Sequence, residues 1–276
     1  MNLSIAYSPC PNDTYIFDAL AHRKISMEAL SFECFLADVE ELNRAAQIAT
    51  YDISKISIAA YPSIANKYQI LNSGSALGRN NGPLLISKKP FTTKDINSLH
   101  IAIPGKHTTA NMLLSIAFPN AKNKTPMLFS DIENAVLKGE VDAGLIIHES
   151  RFTYQDKGLK KVVDLGEYWQ KTFDMPVPLG CIVVKRSLNN EIKKSIDNII
   201  YRSLDFANKN KQSSQAYIKE HAQNMGDDTI AKHIGLYVND FSLSLGPKGK
   251  DAILFMLKEG EKAGLLSLIR DDIFID

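Results

Sequence analysis

Apolar residues along the chain recur at two spacings. Short apolar or alternating runs predict strands over residues 3–7, 30–35, 51–60, 69–71, 84–87, 100–104, 143–147, 161–165 and 179–185. Between several of them, apolar positions three and four apart predict helices with one buried face, over 15–22, 38–47, 108–117 and 131–138. In the second of these, Asp38 is the expected N-cap and Val39, Leu42, Ala45 and Ala46 form one stripe. Beyond residue 190 the pattern is helical, over 191–208, 212–223, 227–238 and 247–263. Strands alternating with helices predict an α/β fold.

Two stretches share one order of elements: helix, turn, aspartate, buried strand, polar edge. Helix 38–47 leads through Asp52 into strand 53–60, and helix 131–138, closed by Gly139, leads through Asp142 into strand 143–147. Matching the two aspartates sets Ser57 within one residue of His148. The echo predicts two lobes of similar build, each presenting a strand end to a shared cleft. The expected division is a discontinuous first lobe, 1–88 with 187–276, and a second lobe, 89–186, with hinge ends at 87–89 and 184–186.

Candidate chemistry collects where strands end. His148 follows the apolar run Gly144-Leu145-Ile146-Ile147, at the end of a strand where ligands sit in open α/β sheets. Imidazole changes charge near neutral pH, so this residue is a candidate base, although a packing or capping histidine would look the same. The turn 105–107 and the helix start Thr108-Thr109-Ala110 gather hydroxyls and unpaired N–H groups, an anion or hydroxyl site or a plain N-cap. Ser8-Pro9-Cys10-Pro11-Asn12-Asp13-Thr14 reads as a turn whose Asn, Asp and Thr cap the next helix. The glycine-rich loop 73–83 lacks the GxxxxGK[ST] spacing of a phosphate loop.

Composition narrows the classes. Lys+Arg 32 against Asp+Glu 31 gives a net charge of +1, which predicts neither nucleic acid nor an anionic membrane as partner. Lys193, Lys194, Lys209 and Lys211 are interleaved with acidic residues and read as a solvated face. Cys10, Cys34 and Cys181 form no CxxC pair, so neither a zinc site nor a disulfide framework is expected. The first residues lack the positive charge and apolar length of an export signal, and no run reaches a membrane span. The expectation is a cytoplasmic protein with reduced thiols, a small-molecule partner, and a monomeric or homodimeric state.

The discontinuous first lobe and continuous second lobe, joined by two crossovers, resemble the class II periplasmic-binding-protein architecture. Fold does not fix function. Longer motifs carry a sharper likeness: SPCPNDTYIFDAL (8–20), DVEELNRAA (38–46), SALGRNNGPLLIS (75–87), IPGKHTTA (103–110), GEVDAGLIIHESRFTY (139–154), VVDLGEYW (162–169) and YVNDFSLSLG (237–246). Together they resemble the 1,4-dihydroxy-6-naphthoate synthase family of the futalosine route to menaquinone, over nearly the whole chain. The resemblance implies a cytoplasmic two-lobed enzyme that converts cyclic dehypoxanthine futalosine to 1,4-dihydroxy-6-naphthoate, releasing a carbohydrate-derived fragment, with no redox cofactor or metal. It carries the family's base onto His148. It carries substrate contacts onto Lys55-Ile56-Ser57, where Ile56 replaces leucine, and onto Thr109-Ala110. Asn12, Asp13, Arg79, His107 and Thr108 stand near the same turns without an assigned role. The alternatives are a chorismate dehydratase of the same pathway and a solute-binding protein without catalysis. A regulatory ligand-binding domain would need a DNA-binding module, for which the two lobes leave no room.

Overall fold

The structure, a computed structural model, describes residues 1–222, 225–267 and 270–275. In chain order its elements are β1 (Asn2–Tyr7), α1 (Pro11–Ala21), β2 (Ser31–Leu36), α2 (Val39–Gln47), β3 (Ile53–Ser57), α3 (Tyr61–Ile64), β4 (Tyr68–Ile70), β5 (Ala76–Gly78) and β6 (Leu84–Ser87). Then come β7 (Ile101–Ile103), α4 (Thr109–Ala117), β8 (Lys124–Pro126), α5 (Ile132–Lys138), β9 (Ala143–Ile146), α6 (Ser150–Thr153), β10 (Lys160–Asp164), α7 (Leu165–Phe173) and β11 (Val177–Lys185). The chain ends with α8 (Asn190–Lys209), α9 (Gln215–His221), α10 (Asp227–Tyr237), α11 (Asp240–Leu243) and α12 (Gly246–Lys262). Among the described residues no helix is long and apolar enough to cross a membrane.

The strands form two mixed sheets. One runs β2-β1-β3-β11-β4, with β5 also paired to β11; the other runs β10-β6-β9-β7-β8. Hydrogen bonding corrects the expected boundaries at 88 and 186. Strand β6, placed in the first lobe by the sequence, pairs with β9 and β10 of the second sheet. Strand β11, nine residues long and placed in the second lobe, pairs antiparallel with β3, β4 and β5 of the first. Both are apolar runs buried along most of their length, and such runs carry no mark of which sheet they join. The chain therefore crosses between sheets at 79–83 and 174–176, not at 87–89 and 184–186. The two crossings lie side by side: Arg79 donates to the Asp174 carboxylate (3.0 Å) and carbonyl (3.2 Å). Nearby, a Cβ on Gly82 would lie 2.3 Å from the Gly166 backbone, a close approach that only glycine allows.

Local signals explain the elements that shape the cleft. Asp38 caps α2 by accepting from the Glu40 N–H (2.8 Å), and Gly139 closes α5 at φ 75°. Helix α5 lies directly on β9, because a Cβ at Gly144 would meet Ile132 at 2.4 Å. Three expectations shift. Helix α1 begins at Pro11 rather than Tyr15, with proline in the first turn where a missing N–H costs nothing. Asn12, Asp13 and Thr14 thus lie inside the helix, buried, and do not cap it. Strand β3 stops at Ser57, and residues 58–60 turn into α3. The helix expected over 212–223 is α9, and its expected end at Gln223 lies outside the described residues. Behind the crossings, Phe255 of α12 meets Trp169 (5.9 Å) and Phe173 (5.4 Å) of α7, so the last long helix braces both lobes.

Candidate active site

The carboxyl ends of β1, β3, β7 and β9 converge on a cleft between the two sheets, holding about 690 Å³ of empty space counted out to its open mouth. All six residues singled out by the sequence line it: Lys55, Ile56, Ser57, Thr109, Ala110 and His148. Ser8, Asn12, Asp13, Leu179, Gly180 and Tyr237 join them. Arg79 and His107 are not on its walls; the first clips the crossings and the second bonds to Glu40.

His148 stands just past β9 in a left-handed conformation, φ 59°. Histidine tolerates this region better than most residues, and such conformations concentrate at functional sites. Its Nδ1 lies 3.3 Å from Cys10 Sγ, across the cleft on the residue before α1. Burial, followed by the nearby Glu149 carboxylate, pushes the Cys10 thiol well above its ordinary pKa, so it stays protonated and its sulfur is a weak acceptor for a ring N–H. The His148 Nε2 is buried and has no hydrogen-bond partner among the described residues. Phe129 approaches the ring edge-on at 4.8 Å and His233 stacks on it at 6.2 Å.

A polar chain forms the floor. His233 Nε2 donates to Asn12 Oδ1 (2.9 Å), Asn12 Nδ2 donates to Asp13 Oδ1 (2.8 Å), and Lys55 Nζ pairs with the same oxygen at 2.9 Å. Ser8 Oγ donates to the other carboxylate oxygen (2.7 Å), and Lys55 also donates to the Gly74 carbonyl (2.8 Å). Alternation along β3 turns Lys55 and Ser57 to one face and Ile56 to the other, so Ile56 meets the cleft through its backbone. Ser57 is fixed by Asn43, whose Oδ1 accepts from the Ser57 N–H (2.8 Å) and whose Nδ2 donates to Ser57 Oγ (3.1 Å).

On the opposite wall, Thr108 caps α4 by accepting from the Asn111 N–H (3.3 Å). The Thr109 hydroxyl is already engaged, donating to the Leu179 carbonyl (2.7 Å) and accepting from the Ala59 N–H (3.2 Å). What Thr109 and Ala110 can offer a ligand is their backbone N–H groups, which lie in the first helical turn and have no acceptor within the helix.

The sequence pattern singles out neither Cys10 nor His233 for the site, and it reads Asn12 and Asp13 only as helix caps. One signal was present for His233: Ile230, His233 and Tyr237 fall on the buried stripe of α10, where a histidine is out of place. Burial, then the charge of His148, hold His233 well below the ordinary histidine range. The folded chain thus keeps it neutral, while the unfolded chain takes up a proton below about pH 6.5. Its contribution is complete above that pH and is lost below it, at about 1.4 kcal/mol per pH unit. Urea unfolding of the parent and of His233→Gln at pH 7.5 and 5.5 tests this. The parent should lose more stability on acidification than the variant, and equal losses would remove His233 from the account.

Comparison with known proteins agrees with this geometry. A family model described as menaquinone biosynthesis matches residues 3–262. A 1,4-dihydroxy-6-naphthoate synthase of Thermus thermophilus is 39% identical over 273 residues, covering 99% of both chains. A crystal structure of protein AF1704 from Archaeoglobus fulgidus superposes with a TM-score of 0.91 at 32% identity, covering 96% of this chain and 98% of that one. The periplasmic aliphatic sulphonate binding protein SsuA of Escherichia coli superposes with a TM-score of 0.65 at 13% identity, over 99% of this chain and 90% of that one. This last likeness concerns the fold, which is the two-lobed periplasmic-binding-protein type. By the extent of its match, the chain belongs to the menaquinone-biosynthesis family.

Proposed function

We propose that the chain is a 1,4-dihydroxy-6-naphthoate synthase, a cytoplasmic carbon–carbon lyase acting on cyclic dehypoxanthine futalosine. The observation that carries this reading is the buried Nε2 of His148, unpartnered among the described residues, in a cleft otherwise furnished with donors. The free state of all three cysteines suits a reducing compartment.

In this reading His148 removes a proton at Nε2, while Nδ1–H points at the Cys10 sulfur and holds the ring in that tautomer. Lys55, the Ser57 hydroxyl and the N–H groups of Thr109 and Ala110 hold substrate oxygens and any negative charge that develops on them. Closure of the two lobes excludes water and aligns the breaking bond with the base. Formation of an aromatic naphthoate favours release of the carbohydrate-derived fragment.

Purified protein incubated with cyclic dehypoxanthine futalosine should yield 1,4-dihydroxy-6-naphthoate, read by chromatography. A parallel incubation with chorismate should yield nothing. Turnover of chorismate alone would move the chain to the dehydratase, and tight binding without product from either would make it a binding protein.

A further inference from the structure

The turn at 105–107, which the sequence offers as an anion site, already holds an anion from the opposite lobe. Glu40, on the first turn of α2, is 4% exposed and reaches across to the second lobe. Its carboxylate accepts from the Lys106 N–H (3.1 Å), the His107 N–H (3.2 Å) and His107 Nδ1 (2.9 Å). Arg44, on its own helix, stands further off at 3.8 Å. The seat is shaped for it: Gly105 has φ 154°, and a Cβ there would lie 2.4 Å from the Glu40 carboxyl carbon. Asn43, one turn along α2, donates to Glu40 Oε2 (3.3 Å) through the same amide nitrogen that donates to Ser57 Oγ. Since Ser57 Oγ accepts from Asn43, its own proton is left to point at a ligand.

We propose that Glu40 is a latch between the lobes and a positioning residue for the substrate-facing wall. Its carboxylate holds residues 105–107 against the first lobe and, through Asn43, fixes Ser57 as a donor. The catalytic part of this inference rests on the proposed synthase activity, whereas the latch itself does not.

The test compares Glu40→Gln, which keeps the shape and removes the charge, with Gly105→Ala, which fills the seat from the second lobe. Small-angle scattering of the unliganded proteins should show a larger radius of gyration for both variants than for the parent. With cyclic dehypoxanthine futalosine, KM should rise about tenfold in both, since a less populated closed state weakens apparent binding in proportion. For Gly105→Ala the kcat at saturation should stay within about twofold, because ligand then supplies the closure, whereas Glu40→Gln should also lower kcat, because Asn43 and Ser57 lose their anchor. Glu40→Asp, one methylene shorter, should recover part of the loss. An unchanged radius of gyration in both variants overturns the latch, whatever the activity. A rise in KM for E40Q without one for G105A assigns Glu40 to its own lobe and overturns the cross-lobe role. Should E40Q not fold, G105A reads the same contact alone. If the parent does not turn over the cyclic substrate, the synthase reading fails while scattering still decides the latch.

Discussion

His148→Ala is expected to lower kcat on cyclic dehypoxanthine futalosine by roughly 10²–10⁴-fold, the usual contribution of a positioned acid or base. KM should change far less. Substrate oxygens in this reading are met by Lys55, Ser57 and the start of α4, none of which hydrogen-bonds to the imidazole. The thermal midpoint should also hold, since the ring is only half-buried and its one polar contact among the described residues is to the weakly bonding Cys10 sulfur. Steady-state kinetics with calorimetry on the same samples decides the matter. A variant that retains parental kcat removes His148 from the chemistry. A variant that loses activity only by unfolding makes it structural.

The second large effect concerns the floor. Lys55 and Asp13 are 5% and 2% exposed, so their pairing takes place away from solvent. Removing one partner of a buried pair leaves the other charge uncompensated, which costs about 3–5 kcal/mol, whereas removing both is often nearly neutral. Lys55→Met should therefore destabilise the chain by that amount, and adding Asp13→Asn should recover most of it. Urea unfolding of the two single variants and the double variant measures the coupling directly. Additive losses would mean that Asp13 is held well enough by Ser8 and Asn12 alone. Turnover by the double variant, if its fold returns, should stay low, because the cleft would then lack the ammonium proposed to meet substrate oxygens.

Much of the architecture could be read from periodicity and punctuation. The stripe of α2 with its Asp38 cap, the glycine that ends α5 and the buried run of β9 all lie close to where the pattern sets them. The repeated order of helix, aspartate and strand is enough to bring Ser57 and His148 to one cleft, because equivalent strand ends in two lobes face each other. Strand partnership was not legible. A run such as Leu84–Ser87 is compatible with either sheet, and only long-range pairing with β9 decides. Polar residues inside α1 read as caps because Pro11 hides the true start of the helix. Glu40 sits on a charged helix and reads as solvated; its burial depends on a turn from the other lobe, which no local pattern encodes.

The order of strands in the two sheets also bears on how the chain assembles on the ribosome. Every strand of the second sheet has been synthesised once Asp164 is made, and its members come from one unbroken stretch. The first sheet must wait. The strand that joins β3 to β4 and β5 arrives only with Lys185, and Ile70 of β4 finds further partners at Ile273 and Ile275, some two hundred residues later in the chain. Until then β3 and β4 present open edges of the kind that invite association with other nascent chains. The later-numbered lobe thus completes first, and shielding by a chaperone during translation matters most for the residues that begin the sequence.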